Sequence, residues 1–212
     1  MAKKQFFITI SLSPKDKLNA TIYEPEFRKG FIPMKTTAPG MTLIEMFLEP
    51  GDDYEIVAII TDDVEGKSAA NFETFKKELE MLSEKKKMDI RVTKEIHVSF
   101  EESKKKHIEF FRNICDSFEP LSEIYMDVTY GTKITSISQF SSLVYAEKVL
   151  RCSIREVVYG LYDKKNSEIG KNNQLFSVRC VYELKELIQS ASMLDGIDID
   201  ELLDKFEGKA NE

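Results

Sequence analysis

The sequence predicts an α/β fold, a mainly parallel sheet flanked by helices. Two observations carry this. Short β-rich runs alternate along the chain with longer stretches of helical period. Three of those runs, FFITISL, YEIVAIIT and EVVYGLY, are almost continuously apolar, as central strands covered on both faces require.

Taken in order, Gln5–Leu12 is the first expected strand. Residues 13–53 are irregular. Five of the six prolines (Pro14, Pro25, Pro33, Pro39 and Pro50) fall there with Gly30, Gly40 and Gly51, so the segment reads as a loop or hairpin excursion ending in a short helix over Met41–Leu48. Tyr54–Thr61 is the second strand. Phe72, Phe75, Leu79 and Leu82 then recur at helical spacing and mark a core face. Ile90–Val98 is the third strand, and a Ser99-x-x-Glu102 capping box predicts the start of a helix with Ile108, Phe111, Cys115 and Phe118 inward. Glu123–Thr129 and Arg155–Tyr162 are the last two major strands.

The helix between them, Ile134–Leu150, carries only Glu147 and Lys148 as charges. A helix wet along one side carries a polar face. The sheet is therefore expected to cover one side of it and a second subunit the other. After Tyr162, DKKNSEIGKNN reads as a solvated loop. A short strand, a helix over Tyr182–Leu194 (Leu184, Leu187, Ile188 and Ala191 inward) and a charged final helix follow. The expected organisation is a ligand-binding domain over 1–165, with a strand/helix extension over 166–212 packed on the same domain. That extension is too short for an independent catalytic domain.

With 42% hydrophobic residues, 32% charged residues and a formal net charge of −7, the chain can form a core. The same acidic balance disfavours general binding of duplex DNA or of a membrane surface, which needs excess Lys and Arg. Cys115, Cys152 and Cys180 form no C-x-x-C pair, so neither a zinc ribbon nor a redox motif is indicated, and buried thiols in a reducing cytoplasm are expected. The N-terminal run MAKKQFFITISLS is too short and too β-branched for a signal peptide. No stretch approaches the roughly 18 apolar residues that a spanning helix needs.

The segment richest in chemistry is EIYMDVTYGTKITSISQFSSLVYAEKVL. A strand runs into Asp127, Val128 and Thr129, a turn follows at Tyr130–Gly131, and a helix begins near Thr132. Ligands of open α/β sheets bind beyond the carboxyl ends of the strands. That edge would hold Thr129, Thr132, Thr135 and Ser136, the flexible Gly131, the cation Lys133 and a helix N-terminus, where backbone N–H groups and the dipole favour phosphate. Helix capping alone would also account for Thr and Ser here. Ser11, Leu12, Ser13, Pro14 and Lys15 after the first strand, Thr61, Asp62 and Asp63 after the second, and Gly160–Tyr162 after the fifth would gather at the same rim.

Asp127-Val128-Thr129-Tyr130-Gly131-Thr132-Lys133, a nearly uncharged helix, and then Arg155-Glu156-Val157-Val158-Tyr159-Gly160 resemble the Asp-x-Thr-His-Gly-x-Arg signature and following strand of CRISPR-associated Rossmann-fold domains. The resemblance spans residues 5–195, and its central part is the specific part. Tyr130 stands where that family usually has His. Lys133 stands where Arg is more usual, which keeps the charge but loses bidentate phosphate geometry. In members that cleave their ligand, Lys also occupies this position. The resemblance implies a Rossmann-like cytoplasmic homodimer whose two rims form one pocket for cyclic tetra- or hexa-adenylate, the second messenger of type III CRISPR antiviral defence. It implies ligand contacts from Ser11, Leu12, Ser13, Thr61, Asp62, Thr129, Tyr130, Gly131, Thr132 and Lys133. It further implies slow, metal-independent cleavage by Lys133 and Ser11 to a 2′,3′-cyclic phosphate, with no cofactor. A non-catalytic sensor that signals to a separate effector protein is the alternative, and an unrelated Rossmann-like nucleotide-binding protein is a third reading.

Other motifs carry less. Arg91-VTKEI-His97 has the Arg-x5-His spacing of a helical ribonuclease site but falls on an expected strand. His107 sits on an amphipathic helix, and two lone histidines make no metal site. Glu183-Leu184-Lys185 matches an acidic-x-Lys nuclease tail in spacing but has helical period. Lys85–Lys87 and Lys104–Lys106 read as solvated faces. No dinucleotide or Walker glycine loop is present.

Overall fold

The computed structural model describes residues 2–14, 17–168, 171–191 and 203. The chain divides into two compact units, Met1–Ser177 and Val178–Glu212. In the first, seven strands form one sheet: β1 (Lys4–Thr9), β2 (Tyr23–Pro25), β3 (Tyr54–Asp62), β4 (Lys94–Ser99), β5 (Glu123–Asp127), β6 (Ser153–Leu161) and β7 (Asn173–Ser177). Their order is β2-β7-β6-β5-β1-β3-β4, and every neighbouring pair is parallel except β6–β7. Five helices connect them: α1 (Met41–Phe47), α2 (Lys67–Lys86), α3 (Lys104–Cys115), α4 (Lys133–Lys148) and α5 (Lys164–Glu168). The second unit contributes α6 (Arg179–Ala191), where Arg179 pairs with Glu183 at 2.7 Å.

The strand period of two sorts side chains between the sheet faces. Phe6, Ile8, Ile56, Ala58, Ile60, Tyr125 and Val158 join one buried cluster with Leu43 and Ile44 of α1 and Phe72, Phe75, Leu79 and Leu82 of α2. The alternate residues turn the other way: Phe7 meets Phe118, just past α3, at 4.8 Å, and Thr9 meets Gln139 of α4. From β1 the chain winds outward to β3 and β4, then returns past β1 to lay down β5 and β6. This reversal makes the gap between the carboxyl ends of β1 and β5 the topological switch point.

The five expected strands and the Met41–Leu48 helix are present with ends shifted by a few residues, the start of β4 most, and β7 is the short strand expected after residue 172. Several details differ. The excursion is no simple hairpin: β2 runs parallel to β7 at the sheet margin, and Thr21 bridges Thr36. The first unit includes β7, which hydrogen-bonds both β6 and β2. Part of DKKNSEIGKNN forms α5. The cap of α3 is Ser103, whose hydroxyl accepts from Lys106 N, while Ser99 closes a turn by accepting from Glu101 N at 3.1 Å. The inward stripe of α3 is therefore Phe110, Ile114 and Cys115 with Phe118 after it, and Ile108 lies exposed. Lys85 and Lys86 are more than a solvated face. Lys85 bonds the buried Glu45, and Lys86 donates to Leu48 O at 2.6 Å, which fastens α2 to the end of α1. Cys115 and Cys152 are buried as expected, whereas Cys180 is exposed. The final charged helix and the residues after Ala191 of the Tyr182–Leu194 helix lie outside the described residues.

Candidate functional site

At the switch point a fully buried carboxylate organises the rim. Asp127, the last residue of β5, accepts through Oδ1 from Thr129 N at 2.9 Å and from the Thr129 hydroxyl, and through Oδ2 from Gly40 N at 3.0 Å. Burial pushes its carboxyl up to about 6, against the opposing pull of these hydrogen bonds. The Thr129 hydroxyl also accepts from Gly160 N at 2.8 Å, so Asp127 and Thr129 together tie β5, β6 and the entry to α1.

The irregular segment reaches this point as a buried strap, residues 36–40. Glu78 of α2 accepts from the Thr36 hydroxyl at 2.6 Å and from Thr37 N at 2.8 Å. A Cβ at Gly40 would lie 2.7 Å from Ile8 Cδ1 and 2.8 Å from Asp127 Oδ2, and one at Gly160 would lie 2.5 Å from the Pro39 ring. Only glycine permits these approaches. The Tyr130 hydroxyl donates to Thr37 O at 3.1 Å and lies beside the buried Tyr23 hydroxyl, whose pKa burial raises to about 12.

Beyond Tyr130 the chain turns through Gly131 at φ +93° into α4. Thr132 and Thr135 form a reciprocal capping box. The first-turn N–H groups of Lys133 and Ile134 have no acceptor within the helix. Lys133 is exposed at the first helical position, and Ser136 folds back to donate to Val128 O at 3.2 Å.

The rim therefore contains the expected residues in distinct states. Lys133 is exposed, and Gly131 and Thr132 are half-buried at the head of α4. The Thr129 and Tyr130 hydroxyls are committed to internal bonds. Ser11 is only 3% exposed and its hydroxyl accepts from Ser13 N at 3.0 Å, with Leu12 and Ser13 half-buried. Thr61 is buried, and its N–H donates to Ser68 Oγ at 3.1 Å. Asp62 points outward to His97, at 2.8 Å from Nδ1, and this hydrogen bond holds the imidazole pKa above its usual value. Asp63 receives the N–H groups of Lys67 and Ser68 at the start of α2. Lys15 lies outside the described residues.

Two residues that sequence reasoning missed hold the rim together. Asn71 of α2 donates to both Ser11 O and Ser13 O at 2.9 Å and clips the loop after β1. Gln139 of α4 donates to Thr9 Oγ1 at 3.0 Å and Asp127 O at 3.2 Å. Among the described residues, Thr61 Oγ1, Asn71 Oδ1 and Gln139 Oε1 are buried without a partner. An amide within a helix of almost no charge was the available sequence signal for Gln139.

Along α4, Ile137 and Val149 are each 60% exposed and Tyr145 is 36% exposed. Among the described residues, no group of His, Cys, Asp and Glu could hold a metal ion, and no helix is long and apolar enough to cross a membrane. The fold and rim define a Rossmann-like α/β protein with a hydroxyl-rich rim at its switch point. No protein-family model matches the chain, and no curated protein matches it significantly.

Proposed function

We propose that this protein is a cytoplasmic receptor for a cyclic oligoadenylate, gripped between two copies of the chain in type III CRISPR antiviral defence. The observation that carries this reading is on α4. One helix combines a first turn suited to phosphate, with Thr132, Lys133 and two amides that have no acceptor within the helix, and exposed apolar side chains at Ile137, Tyr145 and, just past its end, Val149. A ligand edge and an apolar association surface on one element suit a two-fold dimer, in which each half of a symmetric ring meets the same residues. The resemblance of the Asp127–Lys133 segment supports the choice of ligand.

Slow cleavage fits Lys133. The ring's own ribose 2′-hydroxyl attacks the adjacent phosphorus, the 5′-oxygen leaves with a proton, and a 2′,3′-cyclic phosphate remains. The ammonium group and first-turn amides would stabilise charge growing on the phosphate oxygens. The burial of Ser11 favours the second reading, a sensor that binds without cutting and signals to a separate effector protein.

The test is calorimetry with cyclic tetra- and hexa-adenylate, followed by product resolution with EDTA present. Sub-micromolar binding of one ring and no binding of linear AMP is expected. No heat with either ring overturns the reading. Tight binding with an intact ring after hours selects the sensor.

A further inference from the structure

The edge strand β4 borders a groove that lies along its open side. A cavity of about 420 Å³ is lined by five of the six β4 residues, from Lys94 to Ser99 with only Val98 missing. Successive strand residues point to opposite faces. A cavity touched by residues from both faces therefore follows the strand's edge. Lys106, Glu109 and Asn113 of α3, at spacings of three and four, form its outer wall.

Among the described residues β4 pairs only with β3, so its other edge carries N–H and C=O groups that no described strand pairs, the template onto which an extended chain adds. The lining has four carboxylates (Asp62, Glu95, Glu109 and Asp116) against the ammonium groups of Lys94 and Lys106 and the imidazole of His97. Lys106 pairs with Glu109 at 3.0 Å and His97 lies between Asp62 at 2.8 Å and Glu95 at 3.5 Å, so the lining as a whole keeps a modest net negative charge. Directly past the strand, Phe100 is 55% exposed, an apolar contact at the groove's end.

We propose that this groove takes an extended basic peptide segment of a partner protein, added as an eighth strand alongside β4, with its Lys or Arg side chains set against the acidic lining. Charge complementarity selects this occupant. A second copy of β4 would bring the same acids against themselves, and the chain's own residues 192–212 are strongly acidic. The site meets the switch-point rim only at Asp62, and its argument does not depend on the oligoadenylate reading.

The test is hydrogen exchange on the full chain with an acetylated, amidated peptide of alternating Lys and Val. Slowed exchange at Lys94–Ser99 is expected, saturating with peptide. An alternating Glu and Val peptide should bind at least tenfold more weakly. The Lys–Val peptide N-methylated on alternate residues, which cannot donate along one edge, should give no protection. Glu95→Lys and Glu109→Lys should each weaken binding several-fold while leaving exchange in the central strands unchanged. The proposal is overturned if β4 shows no protection, if the methylated or acidic peptide binds equally well, or if protection rises with protein concentration in the absence of peptide, which would assign the edge to self-association.

Discussion

Gly40 N donates to Asp127 Oδ2 at 3.0 Å across 87 residues of sequence. This bond fixes the strap to the switch point, and its acceptor is a carboxyl whose ionisation lies in an accessible pH range.

Burial raises the Asp127 pKa from 3.8 to about 6. The folded state therefore binds the proton more tightly than the unfolded state. The resulting stabilisation is present in full below about pH 4 and is lost as pH rises through about 6, on the order of 2–3 kcal/mol. Denaturant unfolding of wild type and Asp127→Asn across pH 4 to 7.5 should show this component only in wild type. Equal slopes would mean that Asp127 does not titrate there.

Gly160→Ala should destabilise the fold by about 2–3 kcal/mol, because its new Cβ meets the Pro39 ring at 2.5 Å and Thr129 also depends on that approach. Gly40→Ala should cost at least as much, since it strikes both Ile8 and Asp127. Gly30, with open space around it but φ +83°, should cost less when changed to Asn. Urea midpoints of the three variants check the order.

Tyr130→Phe removes one hydrogen bond to the strap and should lower stability by about 1 kcal/mol. Ring affinity should stay within a factor of about two, since the hydroxyl already serves the strap. A large loss of affinity with little loss of stability would mean that Tyr130 turns to the ligand when it binds.

Lys133→Ala should leave stability unchanged, because the side chain is exposed at the first helical position. Removing a charge-assisted phosphate contact should cost about 2 kcal/mol per site, roughly thirtyfold in affinity. Ring titrations of wild type and variant measure it.

If two chains associate through α4 as proposed, Ile137→Glu should give monomers in light scattering where the wild type gives dimers, with circular dichroism unchanged, because Ile137 is 60% exposed in the isolated chain. A folded variant that remains dimeric would place the interface elsewhere.

The α/β class, the major strands and the strand–turn–helix at Asp127–Lys133 were legible in the sequence because they follow from local signals. Continuous apolar runs require burial on both faces, helical spacing marks the α2 stripe, and Gly131 with Thr132 marks a turn and cap. The α3 stripe is not decided by the sequence, because two apolar registers, starting at Ile108 and at Phe110, coexist there, and only the position of α3 over β4 selects the second. Tertiary structure alone decided the roles at the rim. Whether Thr129 and Tyr130 face a ligand or a strap depends on residues 36–40, far away in sequence and without periodicity. The clips from Asn71 and Gln139 depend on which side chains two separate helices bring to the ends of β1 and β5. Hydrogen bonds between distant segments leave no local pattern, so the sequence determined the elements and their chemistry, and packing determined which hydroxyls are spent and which cation is left exposed.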